Sequence, residues 1–458
     1  MTTAARGPSR RPGRTAPRRP TAAGPPGAAP DVSAAVEATV TRMGSGGDGV
    51  ATLPDGGSAF LPFVLPGERV LARPTGRRAG TVLAEATAIL APSPERVAPP
   101  CPHFGTCGGC ALQHWDLGRY AAWKRQRLVE ALQRAGFPDP AVAPIAPCPP
   151  RTRRRADLAI RRGPEGIAIG FHARGEGRVV DMRHCDVLDP RLFALLEPLR
   201  ELLGRLRGFR RDGSALFNLL DTGPDLLLRT DAPLTTADRQ ALAGFGVAQG
   251  LPRIAWAQGD GVPETAAQSG GVAITLGDTA VAPAPGAFLQ ATPEGEAAIV
   301  AAVLAGLPDD LPPRARIADL YAGVGTLSFP LAARARVDAF EGEAQAVAAL
   351  TAAAHRAGAP RVTPKRRDLA RQPLPPAELA AYAAAVLDPP FAGAPEQAPL
   401  LARSTVTRVI YVSCNPSALS RDAALFARAG WRLERATPVD QFIWSPHLES
   451  VVVLARGA

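Results

Sequence analysis

The last third of the chain alternates short apolar runs with segments rich in alanine and leucine, and this alternation most constrains the fold. From Ala287 onward the apolar runs are Arg316–Leu320, Arg336–Phe340, Tyr382–Leu387, Arg408–Val412 and Ser450–Leu454. Strands that alternate with helices of about 10–15 residues form parallel, doubly wound sheets. The sequence therefore predicts an α/β domain whose ligands bind at the carboxyl ends of its strands.

A glycine turn follows the first of these strands, within Asp319–Ser328. Its two glycines allow the backbone to approach a ligand closely. Ser328 replaces the third glycine of a dinucleotide fingerprint, and there is no phosphate-loop lysine. Glu341 ends the next strand, where a carboxylate can bind ribose hydroxyls, and Asp388–Pro390 ends a later one. This order favours S-adenosylmethionine as the ligand, and the alternative is ordinary turn chemistry at α/β loops.

A β-branched run, Val409–Val412, is followed by Ser413, Cys414 and the turn residues Asn415 and Pro416. A buried strand that ends in a turn would place Cys414 at the rim of the ligand pocket. A thiol in that position is a candidate nucleophile. The alternative is a buried cysteine that is chemically inert.

Three of the six cysteines, Cys101, Cys107 and Cys110, lie within ten residues of one another, and Cys185 is a distant fourth. The N-terminus has no signal-peptide core, so this spacing favours a metal or cluster site over a disulfide framework. By spacing alone, a [4Fe–4S] cluster and a tetrahedral zinc ion fit equally well. Cys148 matches no ligand position and is predicted to be a bystander.

The N-terminal part of the chain divides into two segments. Residues 1–30 contain no acidic residue, and few of them could be buried in a core, so we predict a disordered basic tail. Residues 31–94 contain short strand-like runs separated by glycine-rich turns, which predict a small β-barrel. Such a barrel could belong to any small-barrel class or, more specifically, to the oligonucleotide-binding class.

The charge of the chain indicates a polyanionic partner. Its net charge is +10 and its pI is near 10.0, a balance that favours nucleic acid as the partner. The sequence contains no apolar run long enough to cross a bilayer. We therefore expect a cytoplasmic protein that does not associate with membranes.

Together these motifs resemble those of the S-adenosylmethionine-dependent RNA 5-methyluridine methyltransferases, from the barrel to the last strand. The resemblance is carried by Phe288–Gln290, Asp319–Gly325, Glu341, Asp388–Pro390, Ser413–Pro416 and His447–Ser450. One position departs from the family pattern. The family usually has a basic residue soon after the Asp-Pro-Pro turn, whereas this chain has Phe391.

The resemblance implies a role for each site residue. Cys414 would add to carbon 6 of uracil, which makes carbon 5 nucleophilic enough to accept a methyl group. Glu449 would then act as the general base that removes the proton from carbon 5. The residues implied to bind the methyl donor or to line the uracil pocket are Gln290, Tyr321, Glu341 and Asp388. The target uridine must leave its stack to reach the thiol.

The resemblance also implies a domain organisation. Residues 31–94 would form an RNA-binding TRAM barrel, and residues 95–116 and 149–284 a central iron–sulfur domain. Residues 117–148 and 285–458 would form a Rossmann-like methyltransferase domain. The four cysteines would bind a [4Fe–4S] cluster, which favours large-subunit (23S) ribosomal RNA as substrate because the transfer-RNA branch typically lacks the cluster. We expect a monomer.

Two alternatives remain open from the sequence. The same chemistry could act on transfer RNA or another structured RNA. Alternatively, the chain could be a non-catalytic RNA-binding iron–sulfur protein on a methyltransferase scaffold. The presence of both Cys414 and Glu449 favours an enzyme.

Overall fold

The computed structural model describes residues 35–457, so the tail predicted over residues 1–30 lies outside the described part. The first five strands are β1 (Val36–Met43), β2 (Gly49–Thr52), β3 (Ser58–Leu61), β4 (Arg69–Arg78) and β5 (Thr81–Ala91). They form a closed barrel in the order β1-β2-β3-β5-β4, in which β4 pairs antiparallel with β1. The prediction of a small β-barrel is confirmed.

Helix α1 (Leu117–Arg134) begins after Asp116, whose side chain accepts a hydrogen bond from the backbone of the first turn. It ends at Arg134, whereas the spacing of apolar residues in the sequence predicts one helix from Leu117 to Phe137. Leu128 on its buried face packs into the core of the C-terminal sheet. The short strand β6 (Ala146–Pro147) then pairs with the last-but-one strand of that sheet.

Lys124 corrects the polar face that we predicted for helix α1. The same spacing in the sequence places Lys124 among the polar positions of the predicted helix, whereas its side chain is fully buried. Its ammonium group donates to the carboxylate of Asp440 and, at 3.0 Å, to the carbonyl oxygen of Phe442. The prediction was wrong because helical spacing does not reveal that a buried carboxylate from a distant strand faces this position.

This ion pair predicts a stability effect. Replacing Lys124 with alanine would leave Asp440 buried without its cation, which is expected to cost about 3–5 kcal/mol. The matched control is Arg134→Ala, because Arg134 and its partner Glu130 are both exposed and such a pair is worth at most about 1 kcal/mol. Urea unfolding followed by tryptophan fluorescence measures both variants. Equal midpoints would contradict the role of the pair.

The central part of the chain contains one six-stranded sheet and a small hairpin. Its elements are β7 (Arg155–Gly163), β8 (Gly166–Gly170), α2 (Pro190–Phe193), α3 (Leu196–Arg205), β9 (Asp212–Leu220), β10 (Gly223–Thr230), α4 (Thr236–Gln249), β11 (Arg253–Gln258), β12 (Glu264–Gln268), β13 (Ile274–Leu276) and β14 (Thr279–Val281). The strand order of the sheet is β12-β11-β10-β9-β7-β8. Helices α3 and α4 pack on it through a leucine-rich core.

The C-terminal part contains an eight-stranded sheet in the order β17-β16-β15-β18-β19-β21-β20-β6. Its remaining elements are α5 (Pro293–Ala305), β15 (Arg316–Leu320), α6 (Ser328–Ala332), β16 (Arg336–Glu341), α7 (Ala344–Arg356), β17 (Val362–Arg366), α8 (Pro376–Leu379), β18 (Ala384–Leu387), α9 (Ala398–Ala402), β19 (Arg408–Ser413), α10 (Pro416–Arg428), β20 (Arg432–Asp440) and β21 (Glu449–Ala455). The α/β fold predicted for this region is confirmed. No helix among residues 35–457 is both long enough and apolar enough to cross a membrane.

The direction of the last strand corrects the sequence prediction of a parallel sheet. The five strands from β15 to β19 are parallel to one another. Strand β21 inserts between β19 and β20 and runs antiparallel to both. The N-terminal end of β21 therefore lies at the same sheet edge as the carboxyl end of β19. This reversal places the residues that begin β21 beside the predicted ligand pocket.

Candidate active site

Cys414 and Glu449 are brought together by adjacent antiparallel strands. Strand β19 ends at Ser413, which lies opposite Ser450 of β21 in the strand register. Cys414 is the next residue after β19, and Glu449 is the first residue of β21. The predicted nucleophile and the predicted base therefore lie at one edge of the sheet.

Cys414 lines a cavity of about 540 Å³ at the meeting point of the three parts of the chain. The barrel contributes Gly46, the cysteine-rich loop contributes Gly109, and the loop before β21 contributes Phe442 and His447. Burial raises the pKa of the Cys414 thiol to about 12, and the nearby carboxylates Glu449 and Asp388 add to this effect. A partly buried thiol within an open cavity is accessible to an extruded base.

Glu449 is held in an almost fully buried position, with 3% of its surface exposed. One carboxylate oxygen, Oε2, accepts a hydrogen bond of 2.7 Å from the amide of Gln441. The other oxygen, Oε1, has no hydrogen-bond partner among the described residues. Burial and then the neighbouring charge of Asp388 raise the pKa of Glu449 well above its usual range. A buried carboxyl group with a free oxygen can accept a proton from a bound substrate.

These raised pKa values predict how the reaction depends on pH. In their predicted roles, Cys414 would react as the thiolate and Glu449 as the carboxylate, and the pKa of each is raised. A raised pKa means that the charged form becomes populated only at higher pH. Methyl transfer itself needs only the Cys414 thiolate, so single-turnover methylation should keep accelerating up to about pH 10, where a thiol with an ordinary pKa of about 8.5 would have levelled off. A rate that levels off by about pH 9.5 would contradict the electrostatic description of the site.

A chain of hydrogen bonds connects Glu449 to two of the residues predicted to bind the donor or the uracil. The amide of Gln441 donates both to Glu449 and, at 2.8 Å, to the side-chain oxygen of Gln290. Gln290 in turn donates to the Asp388 carboxylate at 3.2 Å. The structure therefore brings Gln290, Asp388, Glu449 and Cys414 together. Sequence reasoning missed Gln441, because no motif marked it.

The other two predicted binding residues lie at the glycine turn. One oxygen of Glu341 accepts a hydrogen bond of 2.9 Å from the backbone of Gly323. Tyr321 has a positive φ of 64°, an uncommon backbone conformation for a residue with a side chain, which often marks a functional turn. At Gly325 a Cβ atom would lie 2.5 Å from the Leu350 side chain, so only glycine fits there. The turn and the carboxylate of Glu341 thus form one rigid edge of the site.

Asp319 is a site residue to which sequence reasoning gave no role of its own. Its carboxylate is fully buried; one oxygen accepts from the Ser328 hydroxyl and the other has no partner among residues 35–457. Burial raises the pKa of Asp319 to about 7. A buried, unpaired acceptor beside the glycine turn fits the ammonium group of an S-adenosylmethionine molecule. Ser328, which replaces a fingerprint glycine, holds this carboxylate in place.

The four cysteines predicted to bind a metal line one cavity, although they come from two distant segments. These residues are Cys101, Cys107, Cys110 and Cys185. Backbone N–H groups donate to two of the sulfur atoms, from Gly109 to Cys107 at 3.4 Å and from Leu188 to Cys185 at 3.3 Å. Burial raises the pKa of all four thiols.

Within residues 35–457 no group of three or more His, Cys, Asp or Glu side chains is arranged to hold a metal ion. The prediction of an iron–sulfur site therefore stays a prediction. The donor set nevertheless fits a cluster in one respect. Four sulfur atoms share one cavity and two of them accept backbone hydrogen bonds, which is the kind of environment that such clusters use.

Phe391 lines the cavity that contains Cys414. Its side chain is 60% exposed, and its ring lies edge-on to His447 with the ring centroids 6.5 Å apart. The side-chain amide of Asn415 donates to its carbonyl oxygen at 2.9 Å. The residue that replaces the family's basic side chain is thus held beside the nucleophile and offers an aromatic face to solvent.

Comparisons with known proteins identify RNA methyltransferases as relatives of this chain. A family model described as tRNA (uracil-5-)-methyltransferase matches residues 363–457. An uncharacterized RNA methyltransferase of Brucella suis is 42% identical over 92% of this chain and 97% of its own length. A 23S rRNA (uracil(1939)-C(5))-methyltransferase of Chromohalobacter salexigens is 36% identical over 91% of this chain and 89% of its own.

A solved structure shares the fold along most of the chain. The tRNA (uracil-54, C5)-methyltransferase of Pyrococcus abyssi, in complex with S-adenosyl-L-homocysteine, superposes with a TM-score of 0.70 at 22% identity. The match covers 92% of this chain and 100% of the other. The resemblance inferred from the motifs is confirmed by the sequence relatives, and the chain belongs to the S-adenosylmethionine-dependent RNA (uracil-5-)-methyltransferase family.

Proposed function

We propose that this enzyme methylates carbon 5 of a uridine in large-subunit ribosomal RNA through a covalent bond between Cys414 and carbon 6. The observation that carries the proposal is that Cys414, which lines the cavity, lies next to Glu449 at the adjoining ends of two neighbouring strands. A thiol and a base on one side of a ring can perform addition and elimination on the same base. A binding protein would not need this pair.

The chemistry follows from these two residues. The Cys414 thiolate forms a bond to carbon 6, and the electrons of the carbon 5–carbon 6 double bond move into an enolate. Carbon 5 then takes the methyl group from the sulfonium of the bound donor. Glu449 removes the proton from carbon 5, the double bond re-forms, and the electrons of the carbon–sulfur bond return to sulfur. This elimination frees the Cys414 thiolate, and the enzyme is regenerated once Glu449 has lost its proton to solvent and S-adenosyl-L-homocysteine has left.

Binding of the methyl donor is assigned to the glycine-turn side of the site. Glu341 has the position from which a carboxylate binds ribose hydroxyls, and its oxygens are held by two backbone N–H groups. The unpaired oxygen of Asp319 suits the donor's ammonium group. Tyr321 and Asp388 complete the predicted donor side, and Gln290, bonded to Asp388, lies between donor and uracil.

Three features support RNA as the substrate, and the first of them favours ribosomal RNA. The relative from Chromohalobacter salexigens, which aligns along most of the chain, is named for 23S rRNA. The barrel, for which we propose the RNA-binding TRAM role, contributes Gly46 to the cavity of Cys414. The net charge of +10 suits a polyanion. We propose that the enzyme acts as a monomer in the cytoplasm.

We further infer that Cys101, Cys107, Cys110 and Cys185 hold a [4Fe–4S] cluster. The shared cavity and the backbone hydrogen bonds to sulfur support this inference. Such a cluster would tie the loop of residues 95–116 to the central sheet. The methyl transfer needs no electron, so we assign the cluster a structural role.

Loss of one ligand predicts loss of iron. The Cys107→Ser variant, purified without oxygen, should contain little iron and lose its visible absorbance, because the cluster needs four thiolates. Cys148→Ser is the matched control: Cys148 is buried elsewhere and its sulfur accepts from the Thr292 hydroxyl at 3.3 Å. Iron stoichiometry that is unchanged in Cys107→Ser would contradict the ligand assignment.

The proposed function is tested by nucleoside mass spectrometry. The protein is incubated with S-adenosylmethionine and with unmodified ribosomal RNA or transfer RNA, and 5-methyluridine is quantified in each. The expected result is 5-methyluridine in large-subunit ribosomal RNA alone. Product in transfer RNA alone would favour the alternative substrate, to which the description of the matching family model also points. No product in either RNA would contradict the proposal.

A further inference from the structure

We propose that Gln441 is a positioning residue that orients Glu449 for removal of the carbon 5 proton. The inference rests on the proposed function, because it concerns the last step of that reaction. No recognised motif includes Gln441, which follows the last residue of strand β20.

The side chain of Gln441 is fixed by three hydrogen bonds. It is 3% exposed, and its amide nitrogen donates to Glu449 Oε2 at 2.7 Å and to Gln290 Oε1 at 2.8 Å. Its amide oxygen accepts from the backbone of Ala291 at 2.9 Å. A primary amide has two N–H donors, so both are used. Exchanging the nitrogen and oxygen by rotation would break all three bonds, and the amide therefore has one orientation.

Packing reinforces this orientation from the opposite side. Gly295, in the first turn of helix α5, would bring a Cβ atom to 2.6 Å from the Cβ of Gln441. The helix can therefore approach Gln441 only because residue 295 is glycine. The backbone of Ala291, which precedes the same helix, supplies the third hydrogen bond. Gln441 is thus clamped between α5 and the start of β21.

Only one of the two carboxylate oxygens of Glu449 accepts a hydrogen bond, and this difference matters for catalysis. Gln441 bonds to Oε2, and Oε1 has no partner among the described residues. The bond therefore fixes the rotation of the carboxylate and leaves Oε1 to take the proton from carbon 5. The electrons of the carbon–hydrogen bond then form the ring double bond, and those of the carbon–sulfur bond return to Cys414. The same amide also donates to Gln290, whose side chain keeps its own hydrogen bond to Asp388 when Gln441 is replaced.

The experiment separates methyl transfer from release of the adduct. RNA that carries tritium at carbon 5 of uridine loses tritium only when the base removes that hydrogen, whereas the protein–RNA adduct survives denaturing gels. With Gln441→Met we expect methyl transfer within threefold of wild type, tritium release slowed about 10-fold or more, and accumulation of methylated adduct. Loss of a well-placed general base costs about 10²–10⁴-fold, and loss of its orientation alone should cost less.

Two further variants make the test decisive. Gln441→Glu keeps the shape and the acceptor for the Ala291 N–H but replaces the two amide donors by a second carboxyl group beside Glu449, so it should also accumulate adduct even if Gln441→Met folds poorly. Gln397→Met is the matched control, because Gln397 is a fully buried glutamine that bonds only to the backbone of Leu374. This control should release tritium at the wild-type rate.

A second readout follows from the hydrogen bond itself. The hydrogen bond from Gln441 favours the charged form of Glu449, whereas burial and the charge of Asp388 oppose it. The Cys414 thiol is the other titratable group nearby. Loss of this hydrogen bond should move the acid limb of the tritium-release profile to higher pH.

Tritium release and a pH profile that both equal those of wild type in the Gln441 variants would overturn the inference. A parallel fall of methyl transfer and release would also overturn it, because it would indicate a structural role. Absence of adduct and tritium release in the wild-type enzyme would instead overturn the proposed function.

Discussion

Replacing Cys414 with alanine is expected to abolish methylation of RNA and formation of the protein–RNA adduct. The physical reason is that carbon 5 of uracil is too weak a nucleophile until a thiolate has added to carbon 6. Removing a covalent nucleophile lowers turnover by about 10⁴-fold or more. The measurement is transfer of a labelled methyl group from S-adenosylmethionine to RNA, together with a denaturing gel that detects the adduct.

The matched control for this prediction is Cys148→Ala. Cys148 is also buried, but it does not line the cavity that contains Cys414. The control should retain activity within about twofold, since its thiol touches no predicted site residue, whereas binding of S-adenosylmethionine should be unchanged in both variants. Methylation by Cys414→Ala at a rate near that of wild type would rule out the covalent route.

Replacing Glu449 with glutamine is expected to leave the first methyl transfer largely intact and to stop turnover. Glutamine has the same shape and its oxygen can still accept the hydrogen bond from Gln441, but it cannot take a proton. The loss of a general base lowers the rate by about 10²–10⁴-fold. The methylated RNA should therefore remain bound to Cys414, and a denaturing gel should show a persistent adduct that contains the labelled methyl group.

A carboxylate outside the site provides the comparison. Glu434, on the same C-terminal sheet, pairs with Arg408 and is 40% exposed, so Glu434→Gln should turn over normally and accumulate no adduct. If Glu449→Gln also turned over normally, another group would have to remove the proton. Loss of adduct formation in Glu449→Gln would place the residue in the addition step instead.

Parts of this molecule follow from local sequence. The glycine turn after Asp319 adopts the expected form because Gly325 admits no side chain beside Leu350. The thiol of Cys414 lies at the end of a strand because a β-branched run is followed by Asn415 and Pro416, which begin helix α10. These features depend on residues close to one another in the chain, so their spacing is informative.

Other parts depend on residues far apart in sequence. The environment of Lys124 is set by Asp440, and that of Glu449 by Gln441 and Asp388. Burial by distant segments raises the pKa of Cys414. Neither the periodicity of a helix nor the composition of a loop reports on such partners, and so the burial of Lys124 was predicted wrongly and Gln441 was missed.

Strand β21 has features of both kinds: its existence follows from local sequence, whereas its direction depends on distant parts of the chain. Sequence alone predicted an apolar strand over Ser450–Leu454 with Glu449 directly before it. Both neighbouring strands are apolar on both faces: Ile410 and Val453 pack in one core, whereas Tyr411 and Val452 pack in the other. A strand that is buried on both faces has the same apolar pattern in either direction. Only the tertiary structure decided that β21 runs antiparallel to β19, and this reversal places Glu449 beside Cys414.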